Sequence, residues 1–277
     1  MNRNSPSDGP PASYRHDEGS AAAPLTGKGS AAASSAGQTI APDVRRGVVA
    51  WIAKAAAGLV FFAALLFLCA ERWDWIWAWV FLALFAAASV AHVLILIPTN
   101  PELLGERARG IRENTKNWDK VISSLAAGLL PMASWVISAL DERFGWPRPL
   151  GWLPQISPGL HIGGALFFAL GWAMLLWATA SNAFFSTTVR IQEERGHVVQ
   201  TGGPYRYVRH PGYVGGIVYQ LATPFLLGSW WALIPMALTV PLYVLRTALE
   251  DKTLHEELDG YAEYAQRTRY RLLPGVW

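Results

Sequence analysis

The chain has 277 residues, of which 52% are hydrophobic and only 16% charged, with a formal net charge of +3. Its apolar residues are bunched into long blocks rather than spread at a short period, which excludes an ordinary water-soluble domain and indicates a membrane chain. A single cysteine, Cys69, excludes a disulfide framework or a cysteine-based metal site within one chain.

Residues 1–44 are Ser, Ala, Gly and Pro with scattered charges, too poor in large apolar groups to offset the entropy of ordering. They predict a disordered tail, and no early basic-then-apolar pattern marks a signal peptide. Crossing a hydrocarbon layer roughly 30 Å thick takes about 20 apolar residues in a helix, because every backbone group must be satisfied internally. Blocks of that length run over Val48 to Ala70, Trp75 to Ile97, Val121 to Leu140 and Leu160 to Ala180. A longer one, Val214 to Leu245, is interrupted at Leu227-Gly228-Ser229-Trp230 and predicts a hairpin of two slightly short helices. The expected fold is therefore all-α: a polytopic helical membrane protein with about six transmembrane helices. Four lie within residues 45–181, and a C-terminal region, 182–277, holds the hairpin and a polar helix beyond it.

Lys and Arg in short loops bias those loops to the cytoplasmic side. Arg45 and Arg46 precede the first span, and Arg107, Arg109, Arg112, Lys116 and Lys120 separate the second from the third. The alternate loops carry only Arg72, then Arg143 and Arg148. The segment from Arg190 to Arg209 and the tail through Arg271 are basic again, so both termini are expected in the cytoplasm. The positive balance belongs to these loops and implies no nucleic-acid partner. Many of the fourteen tryptophans stand near span ends, where an amphipathic ring suits the headgroup region. Abundant Ala, and Arg in excess over Lys, suggest a bacterial source and hence an inner-membrane location.

The histidines form no His-x-x-x-His or His-Glu-x-x-His pair, so no metal is expected. His92 and His161, in or beside apolar spans, read as packed, hydrogen-bonded side chains. The loop Pro98 to Leu104 reads as a headgroup-binding segment or, with the basic patch after it, as the lining of an entrance between helices. There is no Rossmann or phosphate-loop pattern.

The densest polar pattern follows Asn182. Thr201-Gly202-Gly203-Pro204 fixes a turn, and Tyr205 to Tyr213 places aromatic, cationic and imidazole groups at the expected boundary of membrane and water. Pro211 can start a helix whose first turn offers free N–H groups beside His210 and Tyr213, a terminus that attracts a carboxylate. Arg246 and Glu250, four apart, share a face where the sixth span leaves the bilayer.

Gly203-Pro204-Tyr205, Arg-His-Pro-x-Tyr-x-Gly from Arg209, Arg-x-x-x-Glu-Asp-x-x-Leu from Arg246, Tyr261-x-x-Tyr264 and Arg271-Leu-Leu-Pro-Gly occur here in that order. In this the chain resembles the isoprenylcysteine carboxyl methyltransferase family, which is related to phospholipid methyltransferases. The resemblance covers roughly Arg190 to Trp277. It implies that S-adenosylmethionine binds to His197, Val198 and Val199, with Tyr205 closing over it. His210, Pro211, Gly212 and Tyr213 would hold its amino-acid end, and Glu250 would bind it, with Gln192 a further contact. Arg246 would orient the acceptor, most naturally by pinning a carboxylate bidentately. The implied partners are a lipophilic or lipid acceptor and membrane lipids. An amine or phospholipid acceptor is the alternative; a membrane reductase using NADPH, or a non-catalytic membrane protein, are readings of other classes.

Overall fold

A computed structural model describes residues 42–111 and 114–277. The expected disordered tail falls, up to residue 41, outside the described residues, as does Arg112 of the basic loop. The long helices are α1 (Pro42–Ala70), α2 (Ile76–Thr99), α6 (Pro158–Ala180) and α8 (Leu233–Glu257), and α4 (Asn117–Ser124) and α5 (Leu130–Phe144) together make a fifth. A π turn, Leu125–Leu129, joins α4 to α5. It lies just before Pro131, which has no N–H to continue the regular ladder. Among the described residues there is no strand.

Among the described residues five helices are long and apolar enough to cross a membrane, and large apolar side chains such as Val60, Leu68, Leu94 and Phe167 face outward from them. This is a polytopic helical membrane protein. The sixth expected span is α7 (Pro211–Leu227), only 17 residues long and packed among α2, α5, α6 and α8. Gly228 at φ 91° ends α7 in a left-handed cap and turns the chain into α8, at the interruption the sequence predicts.

Two helices pack unusually closely. A Cβ on Gly164 would lie 2.5 Å from Leu226 N, one on Gly171 2.5 Å from Tyr219 N, and one on Gly215 2.5 Å from Gly171 O. Without side chains at these points, α6 and α7 bring their backbones together, which is how helices associate where no water drives them. Beside this seam an aromatic core is built from Phe81, Phe85, Trp135, Phe168, Trp172 and Tyr219.

The segment after α2 departs from the expected loop, because it folds as α3 (Pro101–Arg109). Asn100 Oδ1 accepts from Leu103 N at 3.3 Å, Pro101 occupies the first turn, and Leu103 and Leu104 are fully buried. Gly105 meets Gly47 backbone to backbone, which seats α3 on the start of α1. One end of the bundle is thereby closed by α3, the segment 181–210, the end of α8 and α9 (Tyr261–Arg267).

Candidate active site

The segment 182–200 is shaped by short polar bonds. Asn182 Oδ1 accepts from Phe184 N at 2.8 Å, and Asn182 Nδ2 donates to Tyr205 Oη at 3.2 Å. Gln192, fully buried, donates from Nε2 to Phe184 O at 2.6 Å and accepts at Oε1 from Arg195 Nη1 at 2.6 Å. Arg190 bridges Glu106 of α3 and Glu194 at 2.6 and 2.7 Å. These bonds present Phe184, Phe185, His197, Val198 and Val199 to a cavity that opens to solvent.

The opposite wall comes from α7, α8 and α9. It carries His210, Tyr213, Arg246, Glu250, Tyr261 and Tyr264, while Tyr205 lies between the walls. Of the residues expected at a site, His197, Val198, Val199, Tyr205, His210, Tyr213, Arg246 and Glu250 are brought together here. Pro211, Gly212 and Gln192 are not on the cavity surface. Gln192 braces the segment from behind, Pro211 starts α7, and Gly212 packs against the Phe185 ring, which a Cβ would strike at 2.4 Å.

The start of α7 offers less than a bare helix terminus would. Tyr213 N and Val214 N both donate to His210 O, at 3.1 and 3.4 Å, so much of the expected donor set is already used. What surrounds Glu250 is more telling. Tyr213 Oη donates to its Oε2, and His210 Nδ1 lies 3.8 Å from the same oxygen. Among the described residues no Lys or Arg pairs with it.

Its two neighbours in charge are saturated. Asp251 accepts from Arg209 Nε at 2.7 Å and Nη2 at 3.0 Å, from Arg271 Nε at 2.8 Å and from Tyr261 Oη at 2.9 Å, with His210 Nε2 at 3.4 Å. This buried carboxylate ties the end of α8 to the Arg-His-Pro segment and to the tail. Arg246 gives Nε and Nη2 to Asp119 of α4 at 2.6 and 3.2 Å, and Nη2 also to Thr187 O at 3.0 Å. Both nitrogens of the Nε–Nη2 fork, which a bidentate grip on an acceptor would use, are thus occupied. Nη1 is the nitrogen these bonds leave.

His197 Nδ1 accepts from Gln192 N at 3.4 Å, so the ring proton is on Nε2. Burial, helped by the positive charge of Arg190 and Arg195, pulls its pKa down to about 4, and the imidazole is neutral at pH 7. Burial likewise pushes the Tyr205 phenol up and that of Tyr264 up to about 12, so both stay protonated. Tyr264 Oη donates to Tyr205 O at 2.7 Å and fixes that residue over the cavity.

The two histidines in the spans divide. His161 Nδ1 bonds Leu226 O at 2.9 Å, as expected. His92 does not fit the hydrogen-bonded reading: it stacks on Trp51 at 5.1 Å, and both ring nitrogens are buried without a partner. No group of three or more His, Cys, Asp or Glu able to hold a metal is found among the described residues.

Two residues of this end had not been singled out in the sequence, Asp119 and Glu106, and Arg209, Tyr261 and Arg271 had been named only as parts of motifs, with no partner for any of them. Asp119 and Arg246 are 127 positions apart and Glu106 and Arg190 84 apart, and no local pattern announces either pair.

Residues 164–256 match the model of the isoprenylcysteine carboxyl methyltransferase family. The chain is also similar to protein-S-isoprenylcysteine O-methyltransferases. It is 28% identical to that of Homo sapiens over 154 residues, which is 52% of this chain and 50% of the relative. It is 32% identical to that of Schizosaccharomyces pombe over 85 residues, 30% and 36% of the two chains, and 27% identical to that of Rattus norvegicus over 154 residues, 52% and 50%. The chain thus spans about half the length of the mammalian relatives it matches. The matched segment carries α7, nearly all of α8 and most of both cavity walls, and over that segment the chain is similar to the isoprenylcysteine carboxyl methyltransferase family.

Proposed function

We propose that this chain is an integral-membrane methyltransferase that uses S-adenosylmethionine to methylate the carboxylate of a lipophilic acceptor, with its site on the cytoplasmic side. The observation that carries the reading is Glu250: a carboxylate on the wall of an aromatic-lined cavity, with His210 at 3.8 Å but no Lys or Arg partner among the described residues, while the neighbouring Asp251 and Asp119 have arginines.

The residues present fit the cofactor. Glu250 offers an acceptor to its ammonium, His197 Nε2–H is a donor, and the rings of Phe184, Tyr205 and Tyr213 suit a cationic group held over a π face. When bound, S-adenosylmethionine supplies an electrophilic methyl carbon on a sulfonium sulfur. His210, Pro211, Gly212 and Tyr213 contribute as the frame of the α7 start, and Gln192 through its brace on Phe184.

A carboxylate acceptor is already ionised at neutral pH and needs no base. The chain would then have only to hold that carboxylate toward the donor, with no proton to take up or release. Positioning is then the chain's main task. Arg246, fixed by Asp119, contributes positive charge and the donors of Nη1 rather than a two-pronged clamp.

The test supplies purified protein with tritiated methyl donor and N-acetyl-S-farnesylcysteine. The expected result is label in the organic product that mild alkali releases as methanol, the mark of an ester. No label in that ester, with alkali-resistant label instead in added phosphatidylethanolamine, would move the reading to an amine acceptor. Binding of NADPH with no binding of the methyl donor would replace it with a reductase.

A further inference from the structure

Arg107, on α3, is a largely buried cation that pairs with no carboxylate among the described residues. Nη1 donates to Phe185 O at 3.2 Å and the guanidinium lies 5.5 Å from the Phe185 ring centroid, but Nε is buried with no hydrogen-bond partner. Among the described residues no Asp or Glu pairs with it, whereas Arg190, Arg209 and Arg246 are each paired with a buried carboxylate. A buried guanidinium left uncompensated is costly. Burial alone pulls its pKa down to about 10, so it still carries its charge at pH 7.

Its position gives that charge a use. Phe185, whose carbonyl it bonds and whose ring it covers, lines the cavity, and so does Tyr205, which feels its charge. His92 is within reach of the same charge, and both its ring nitrogens are unpartnered. His92 stacks on Trp51, and Trp51 lines an apolar groove between α1 and α2 that includes Ala55, Leu59, Val90 and Leu94. The unpaired cation thus lines neither space itself but is linked to the cavity through Phe185 and to the groove through His92 and Trp51.

We infer that Arg107 binds the carboxylate of the acceptor, whose apolar chain lies in the α1–α2 groove past Trp51. This rests on the methyl-transfer reading for what happens next, but not for the binding itself. Arg107 can offer Nε and Nη2 as a two-pronged donor, the grip that Arg246 has already spent on Asp119.

The experiment measures binding, without any methyl donor, of N-acetyl-S-farnesylcysteine and of its carboxamide, which keeps the chain and lacks the charge, to the detergent-purified full chain. The acid is expected to bind at least about tenfold more tightly than the amide, in line with a charge-assisted bond. Arg107→Gln is expected to abolish that preference by weakening the acid alone, and Arg107→Lys to restore part of it. Neither change should weaken S-adenosylmethionine binding. Arg107→Gln should melt at or above the temperature of the unaltered chain, since it removes an unpaired charge. Ala55→Trp, which fills the groove, should weaken acid and amide alike.

An undiminished preference for the acid in Arg107→Gln overturns the inference. So does failure of the unaltered chain to prefer the acid. Equal affinities before and after Ala55→Trp would mean that the groove holds bilayer lipid only. A chain that prefers the acid but binds no methyl donor would sink the methyl-transfer reading and leave Arg107 in its role.

Discussion

The α6–α7 seam and the capped end of the bundle hold the same helices together by opposite means. Along the seam, Gly164, Gly171 and Gly215 work through what they lack, and backbone meets backbone. At the capped end, contact is made by long charged side chains converging on single buried carboxylates, Asp251 with Arg209 and Arg271, and Asp119 with Arg246. The seam tolerates no added volume, while the cap tolerates no lost charge. Glu250 stands out only against the cap, where Asp251, Asp119 and Glu106 are each paired with an arginine.

Substitutions that remove a hub should therefore have the largest effect. Asp251→Ala leaves Arg209 and Arg271 without their shared acceptor and is expected to cost about 3–5 kcal/mol. Thermal unfolding in detergent reads this, and proteolysis should begin in the segment 258–277. A loss below about 1 kcal/mol would mean that the cap is held by its backbone bonds, such as Arg209 N to Tyr270 O.

At the seam, Gly171→Ala places a methyl group 2.5 Å from Tyr219 N and should cost about 1–3 kcal/mol by overpacking. Gly163→Ala, one helix face away with nothing within 4 Å, is the control and should be near neutral. Equal effects at the two glycines would show that helix propensity, not approach, is being measured.

Acid should separate the regions further. The folded His197 takes a proton only near pH 4, whereas in the unfolded chain it does so near its ordinary value of 6.5. The unfolded state then binds more protons between these values, and stability falls as pH drops from about 6.5 to about 4. His197→Gln should flatten this part of the profile, and nothing above pH 7 should change. Smallest of all, Lys116→Gln breaks the half-exposed pair with Glu257 and should cost at most about 1 kcal/mol, less in high salt.

The spans were legible because lipid imposes a length and a composition on each, and Gly228-Ser229 marked the hairpin turn. The residues of the cavity could be named because their motifs lie in one C-terminal stretch that resembles a known family. Their chemistry was less legible. Nothing near Arg246 in sequence shows that Asp119 already occupies it, and nothing near His92 shows an aromatic ring in place of a hydrogen bond. Those facts depend on which helices meet. The signal for α3 was present but short, with Asn100 as cap, Pro101 in the first turn and Glu102 behind it.

The most direct test of the account is the affinity of S-adenosylmethionine for the unaltered chain and for Glu250→Gln, by calorimetry in detergent, with Lys116→Gln as a surface control. Loss of one charge-assisted bond should weaken binding roughly 10- to 100-fold in Glu250→Gln while the melting temperature stays within a few degrees. Equal affinity in all three proteins would contradict the claim that the unpaired carboxylate of Glu250 is there to receive the cofactor.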